Sequence, residues 1–181
     1  TAECNQGGGL FLAAWQRVIG LFRRRLNKTD RQLAESYLDE AGLFLFNQMS
    51  YADQKHAVTV ARYLLSEKVD TSGANMSLLI QGALLHDVGK VKGEISWWNR
   101  IRVGLIRRYL PRLRDKRAKR GEKGLGHALY VDLHHPDRGA YMAQSLGIDP
   151  SVVFLIRHHH DEAKEPATIE LALLQSADAK N

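Results

Sequence analysis

Thiol chemistry has little basis in this sequence, because its 181 residues include a single cysteine, Cys4. One cysteine cannot form an intrachain disulfide, and a thiolate metal site needs several. The scarcity predicts a reducing, cytoplasmic setting. Only four prolines occur, and no tract is of low complexity, while 44% of the residues are hydrophobic. This composition excludes a disordered tail and predicts one folded domain with an apolar core.

Long hydrophobic runs are also missing. A membrane-spanning helix needs about 20 consecutive apolar residues, whereas the longest run, 10–22, is interrupted by Gln16, Arg17 and Gly20. A secretory signal carries its positive charge before the apolar run, and here three arginines follow it. We therefore expect neither a membrane span nor a secreted precursor, and we interpret residues 1–28 as a flexible, amphipathic basic segment.

Positive charge is concentrated in one part of the chain. Eleven basic and two acidic residues lie between Arg100 and Lys123, so this window carries +9 and leaves −3 for the rest of a chain whose total is +6. Trp97 and Trp98 begin this region. Its apolar residues are expected to pack on the core. The alternative is a basic amphipathic helix that makes peripheral contact with an anionic membrane or with nucleic acid, as the segment 1–28 also suggests.

The chain shows helical periodicity throughout and no alternating strand pattern. The helix at 51–68 places apolar residues at the i, i+3, i+4 and i+7 spacing, and the one at 76–85 is apolar almost all round, which is typical of the centre of a bundle. We predict an all-α helical bundle over 29–181, with a basic insertion around 96–125. The other predicted helices cover 31–49 and 95–110, and begin near 136, 150 and 166.

Three predicted helices carry residues that an apolar core normally excludes. His56 lies on the first, His86 and Asp87 close the second, and Asp178 lies near the end of the third. A buried carboxylate is costly unless something neutralises it. Neutral imidazole and carboxylate together form the ligand set of many divalent-metal sites. The four residues therefore predict a metal site.

A further group of histidines, at 134–135 and 158–160, exceeds what one ion requires. Two ions bridged by Asp87 would use this surplus, the first held by the residues above and the second by His135 with two of the triple histidine. Consecutive histidines cannot all point inward, so two are expected to be structural or solvent-facing, namely His134 and His158.

The motifs ALLHDVGK, which contains His86 and Asp87, and LLQSADAK, which contains Asp178, follow His56 in an order that resembles the HD-domain metal-dependent phosphohydrolases. The resemblance covers about 50–178. It implies an all-helical HD-domain bundle in which His56, His86, Asp87 and Asp178 bind divalent metal and phosphoesters are hydrolysed.

The later strings HPDRGA and IRHHHDE resemble the HD-GYP branch of that superfamily. This implies His135, His159 and His160 as ligands of a second metal, with Asp161 in place of that branch's glutamate. The branch continues into a DGxGYP motif, whereas this chain reads EAKEP at 162–166. The difference argues against cyclic-di-GMP phosphodiesterase activity and favours a smaller phosphohydrolase.

We therefore expect a metal-dependent phosphohydrolase that acts on a nucleotide or a related phosphorylated small molecule through metal-activated water. The resemblance favours manganese or iron for the one or two ions, while zinc, nickel, cobalt and magnesium stay open. Asp87 would hold the metal, Lys90 would bind substrate phosphate, and Asp53 would orient the His56 imidazole. The alternative is a non-catalytic HD-fold binding or signalling module.

Overall fold

The computed structural model describes residues 26–121, 123–161 and 167–181. The described residues form helices and no strand, apart from one isolated bridge between Met49 and Val91. This confirms the predicted all-α bundle. The helices are α1 (Lys28–Tyr37), α2 (Glu40–Gln48), α3 (Tyr51–Leu64), α4 (Met76–Leu85), α5 (Trp97–Tyr109), α6 (Pro111–Arg117), α7 (Leu125–Ser145), α8 (Pro150–His158) and α9 (Ile169–Lys180).

The single helix predicted over 31–49 is wrong, since α1 and α2 are separate. The Asp39 side chain accepts a hydrogen bond from the backbone N–H of Gly42 at 2.8 Å and so caps a new helix. A short polar side chain competes with the helical backbone for such hydrogen bonds. Asn27 caps α1. Ser50 caps α3.

The helix α4 lies at the centre of the bundle, as its apolar sequence predicted. Leu79, Ile80, Ala83, Leu84 and Leu85 are fully buried. The helix packs against α3, α8 and α9, and also contacts α1 and α2. Its carboxyl end therefore projects His86 and Asp87 into the middle of the bundle rather than towards solvent.

The helix α7 passes through Pro136, whereas the sequence predicted a helix start there. Proline has no backbone N–H, so it cannot bond to the carbonyl four residues earlier, which belongs to Asp132. That carbonyl oxygen instead accepts a hydrogen bond from Nδ1 of His135 at 2.7 Å. The proline thus releases the backbone group that orients a buried histidine.

A smaller apolar cluster attaches the basic region to the bundle. Val103 on α5 packs with Ala128 and Leu129 on α7, with Ile106 alongside. This smaller apolar cluster fixes α5 beside the long helix α7, which carries His135. Within the described ranges, no helix has both the length and the apolarity that crossing a bilayer requires. Most of the segment 1–28, namely 1–25, lies outside the described residues.

Candidate metal centre

Five helices bring the predicted site residues together. His56 comes from α3, and Asp178 comes from α9. His86 and Asp87 follow α4, and His135 lies within α7. The triple histidine ends α8, and it places His159 and His160 beside His135, with ring centroids 5.2 and 5.1 Å from it, respectively. All seven predicted ligands thus surround one region of the bundle, with Asp87 among them: His56, His86, Asp87, His135, His159, His160 and Asp178.

Three buried histidines of this cluster are held in the same way. Nδ1 of His86 lies 2.8 Å from the carbonyl oxygen of Ala83, and Nδ1 of His159 lies 2.7 Å from that of Ile156. His135 makes the equivalent contact with Asp132. Because a carbonyl oxygen can only accept, each Nδ1 carries the proton. In the neutral ring each Nε2 therefore offers a lone pair, which is the form that binds metal.

These carbonyls are available because the helical hydrogen bonding is interrupted beside each histidine. Two of the histidines, His86 and His159, lie just past the ends of α4 and α8, where the last carbonyls have no helical partner. The third, His135, precedes the proline in α7. Local backbone structure thus aims all three Nε2 atoms inward.

The carboxylate of Asp87 lies between the histidine groups. Its Oδ1 is 3.2 Å from Nε2 of His135 and 4.0 Å from Nε2 of His159. Its Oδ2 is 3.7 Å from Nε2 of His86. Lys90 approaches the same carboxylate, with Nζ 2.7 Å from Oδ1. Oδ1 therefore faces two imidazoles, and Oδ2 faces a third.

Charge around the buried carboxylate keeps it ionised. Burial alone would raise the pKa of Asp87, but the Lys90 ammonium and the imidazoles of His86 and His135 outweigh that effect and hold the pKa well below its ordinary value. Asp178 behaves in the same way. Burial opposes its ionisation, yet the hydrogen bond from His56 and the neighbouring His86 imidazole lower its pKa. Two anionic carboxylates are thus available near neutral pH.

Most of the histidines around Asp87 are kept neutral. Burial lowers the pKa of His135, with the charge of Lys90 adding to it. Burial and the neighbouring imidazoles hold the pKa of His159 well below its usual range, and burial beside the His135 imidazole lowers the pKa of His160 to about 4. His56 differs, because its Nε2 lies 2.8 Å from Oδ1 of Asp178 and this hydrogen bond raises its pKa.

The donor set fits divalent metal. Nε2 of His135 and Nε2 of His159 lie 3.2 Å apart. Each neutral ring already donates its Nδ1 proton to a carbonyl, so the two Nε2 atoms direct lone pairs at each other. A cation beside them removes that repulsion. Among the described residues, Nε2 of His86 is buried without a hydrogen bond. Three groups have ligand atoms within 4.8 Å of one another: His135, His159 and His160; His56, His86 and Asp178; His86, Asp87 and His159.

Asp53 is placed differently from the sequence expectation, whereas His158 lies outside the ligand groups, as expected. Asp53 does not orient His56, because its carboxylate accepts hydrogen bonds from the Ser50 hydroxyl at 2.6 Å and from Nη1 of Arg100 at 2.7 Å. The reason is tertiary, since Arg100 reaches it from α5. His158 turns away from the histidine group, and its Nδ1 lies 2.6 Å from Oδ2 of Asp161.

A cleft of ≈ 590 Å³ leads to the buried carboxylate. Asp87, Lys90 and Asp178 line it. So do two residues that sequence reasoning did not assign to the site, Arg107 and Gln175. The i, i+7 spacing of Arg100 and Arg107 on the predicted basic helix was a signal that both face one side of the helix. Nothing in the sequence alone indicated that this side meets the site.

A family described as HD domain matches residues 54–180 of the chain. The matched range contains every residue of the cluster around Asp87. No curated protein matches the chain. No solved structure matches it either.

Proposed function

Because the chain belongs to the HD-domain family, whose members are typically phosphohydrolases, we propose that it is a metal-dependent phosphohydrolase with a dinuclear site. The observation that carries the proposal is the position of Asp87. Its Oδ1 faces Nε2 of His135 and of His159, while its Oδ2 faces Nε2 of His86. A single carboxylate with this environment is suited to bridging two ions.

The ligands divide between two positions. The first ion would be held by His56, His86 and Asp178, and the second by His135, His159 and His160, with Asp87 shared. His56 then releases the proton that it now shares with Asp178, because a ligating imidazole must be unprotonated at the bound nitrogen. Histidine and carboxylate ligands suit manganese, iron, cobalt, nickel and zinc better than magnesium, and we favour manganese or iron.

The chain's own residues supply binding and charge for the reaction. Bound divalent ions lower the pKa of a water molecule and neutralise phosphoryl oxygens. Lys90 lines the cleft and brings its ammonium group beside Asp87, where it can contact a phosphate oxygen. Arg107 adds a second cationic side chain at the cleft wall. Burial lowers the pKa of His135, His159 and His160, so the positive charge at the cleft would come from the bound ions, Lys90 and Arg107.

The substrate is proposed to be a small phosphorylated molecule, with a nucleotide as the leading candidate. The cleft volume accommodates a molecule of that size. Its lining is mainly polar and charged, as a phosphate and a hydrophilic remainder require. The sequence EAKEP in place of DGxGYP continues to argue against cyclic di-GMP.

Metal content and turnover test this proposal directly. Tag-free protein purified without chelator is expected to contain about two ions per chain, as a bridged pair requires. Chelation should abolish hydrolysis in a panel of phosphomonoesters, phosphodiesters and nucleotides, and manganese or iron should restore it. A single ion would contradict the dinuclear assignment. No ion after both metals are supplied, or a loaded protein that hydrolyses nothing in the panel, would favour a non-catalytic binding module.

Lys90→Ala is expected to weaken substrate binding more than metal retention. The lysine carries positive charge into the cleft without lying in any of the three candidate metal groups. Losing a charge-assisted hydrogen bond of about 1.5–3 kcal/mol corresponds to an increase in KM of roughly 10- to 100-fold. Elemental analysis and steady-state kinetics on the active substrate measure both effects, with Lys92→Ala as the control because Lys92 is exposed. An unchanged KM would contradict the assigned role.

A further inference from the structure

The helix α5 exposes an apolar face that the bundle does not cover. Of the eleven large hydrophobic side chains that the described residues leave exposed, six lie between Trp97 and Leu110. Trp98, Ile101, Leu105 and Tyr109 have exposed fractions of 57%, 42%, 55% and 67%. Their spacing of three, four and four residues puts them on one side of the helix. We call these four residues the α5 face.

The opposite side of the same helix is the one that packs. Val103 is only 5% exposed and contacts the small core with Ala128 and Leu129. The sequence expectation that the apolar residues of this region pack on the core is thus true of one side of α5 alone. A helix with two apolar sides, one of them unburied, needs a second partner.

Arginine borders the α5 face. Arg102 and Arg108 are exposed on the same helix, and Arg112 is exposed at the start of α6. On a helical projection with about 100° per residue, Arg102 lies beside Tyr109 and Arg108 lies beside Ile101. The Arg108 guanidinium also sits 5.7 Å from the centre of the Tyr109 ring. The surface is therefore apolar along its middle and cationic along its edges.

We propose that the α5 face binds the surface of an anionic lipid membrane. Tryptophan and tyrosine favour the boundary between headgroups and acyl chains, where Ile101 and Leu105 can insert. Arginines extend from an apolar surface to reach lipid phosphates. Lysine and arginine residues near such a surface attract it electrostatically. Six further basic residues of the segment are exposed on or after α6 and add to this attraction: Arg112, Lys116, Arg117, Lys119, Arg120 and Lys123.

The same features disfavour the other occupants. Exposed aliphatic chains at Ile101 and Leu105 offer nothing to bases or to a sugar–phosphate backbone, which are bound by stacking and by charge. A second copy of this chain would oppose Arg102 and Arg108 to their own counterparts. The segment 10–25 of this chain is disfavoured as an occupant of the α5 face because it is basic and would be repelled by the arginines there.

Membrane binding through this face leaves the site open. Arg107, which lines the cleft, is two positions from Leu105 and so lies about 200° around the helix axis from it. The cleft therefore lies on the side of α5 away from the lipid. A protein held in this orientation still admits a substrate from the aqueous phase.

Co-sedimentation of the full chain with vesicles tests the proposal. Wild-type protein is expected to bind vesicles that contain phosphatidylglycerol and not vesicles of phosphatidylcholine alone, with binding weakened by salt. Ile101→Asp with Leu105→Asp should weaken binding by about tenfold or more per residue, because burying one such side chain favours binding by about that factor. Leu65→Asp with Leu146→Asp is the control, with the same charge change at leucines that are 41% and 43% exposed elsewhere.

The arginines have their own test. Arg102→Gln with Arg112→Gln should weaken binding to phosphatidylglycerol vesicles roughly fivefold per arginine, which corresponds to about 1 kcal/mol each. Circular dichroism confirms that every variant keeps its helical content.

Four outcomes would overturn the proposal. The first is wild-type protein that fails to bind anionic vesicles. The second is a double aspartate variant that binds them as well as wild type, which would assign binding to another part of the chain. The third is wild-type protein that binds a single-stranded oligonucleotide but not vesicles, with the oligonucleotide binding lost in the double aspartate variant. The fourth is wild-type protein that forms a concentration-dependent dimer but does not bind vesicles, with the dimer lost in the same variant.

Discussion

Asp87→Ala is expected to lose both metal ions and all measurable phosphohydrolase activity. Its two oxygens face the two histidine groups, so one substitution removes the shared ligand from both positions. Turnover should fall by about 10³-fold or more, since removing a single preorganised hydrogen-bond donor already costs roughly 10²–10³-fold. Elemental analysis and kinetics measure the two losses on the same preparation.

Matched variants separate this effect from general damage. Asp87→Asn keeps the shape of the side chain and removes its charge, so it should resemble the alanine variant in metal content. Asp137→Ala removes a carboxylate that is exposed on α7 and should leave both readouts unchanged. Helical content is expected to stay near that of wild type. An alanine variant that keeps two ions and full turnover would exclude Asp87 as the bridging ligand.

Gly89→Ala is expected to be the most destabilising single-methyl change in the described part of the chain. A Cβ at this position would lie 2.0 Å from the carbonyl oxygen of His135 and 2.8 Å from the backbone nitrogen of Gly139. Both atoms belong to the backbone of α7 and cannot rotate away. Overpacking typically costs 1–3 kcal/mol, and we expect about 3 kcal/mol or more here, which lowers Tm by on the order of 10 °C.

The same variant should disturb the metal centre. Its new methyl group pushes on the residue that carries the His135 ligand, so the metal content should fall together with Tm. Gly104→Ala is the control, because a Cβ there meets no atom within 4 Å. In that exposed helix alanine should stabilise the protein by roughly 0.5–1 kcal/mol. Thermal denaturation of both variants measures the contrast, and a Gly89→Ala protein that melts as wild type does would refute the close approach.

Gly89 belongs to a motif that the sequence revealed, but only the structure explains why glycine is needed there. The string HDVGK, which contains Gly89, was informative as a sequence because it indicated the family. Its function in the fold is to let the turn after α4 contact the backbone of α7 beside His135. The local sequence does not indicate which distant helix will pack against this turn.

The sequence by itself determined the helical class, the family and the chemical character of the site. Periodicity of 3.6 residues is a local property, and His56, His86, Asp87 and Asp178 stand out in any apolar helical chain. Helix ends were less predictable. The separation of α1 from α2 depends on a side-chain cap at Asp39 that competes closely with helix continuation.

Only the tertiary structure decided how these residues face one another. It brought His135 and His159 to Asp87, drew Asp53 to Arg100 and left one side of α5 uncovered. Each outcome depends on contacts between residues far apart in the chain. Such contacts are fixed by packing, which sums many small energies over the whole core. A sequence pattern predicts that a side chain is unusual, and the packing determines what it contacts.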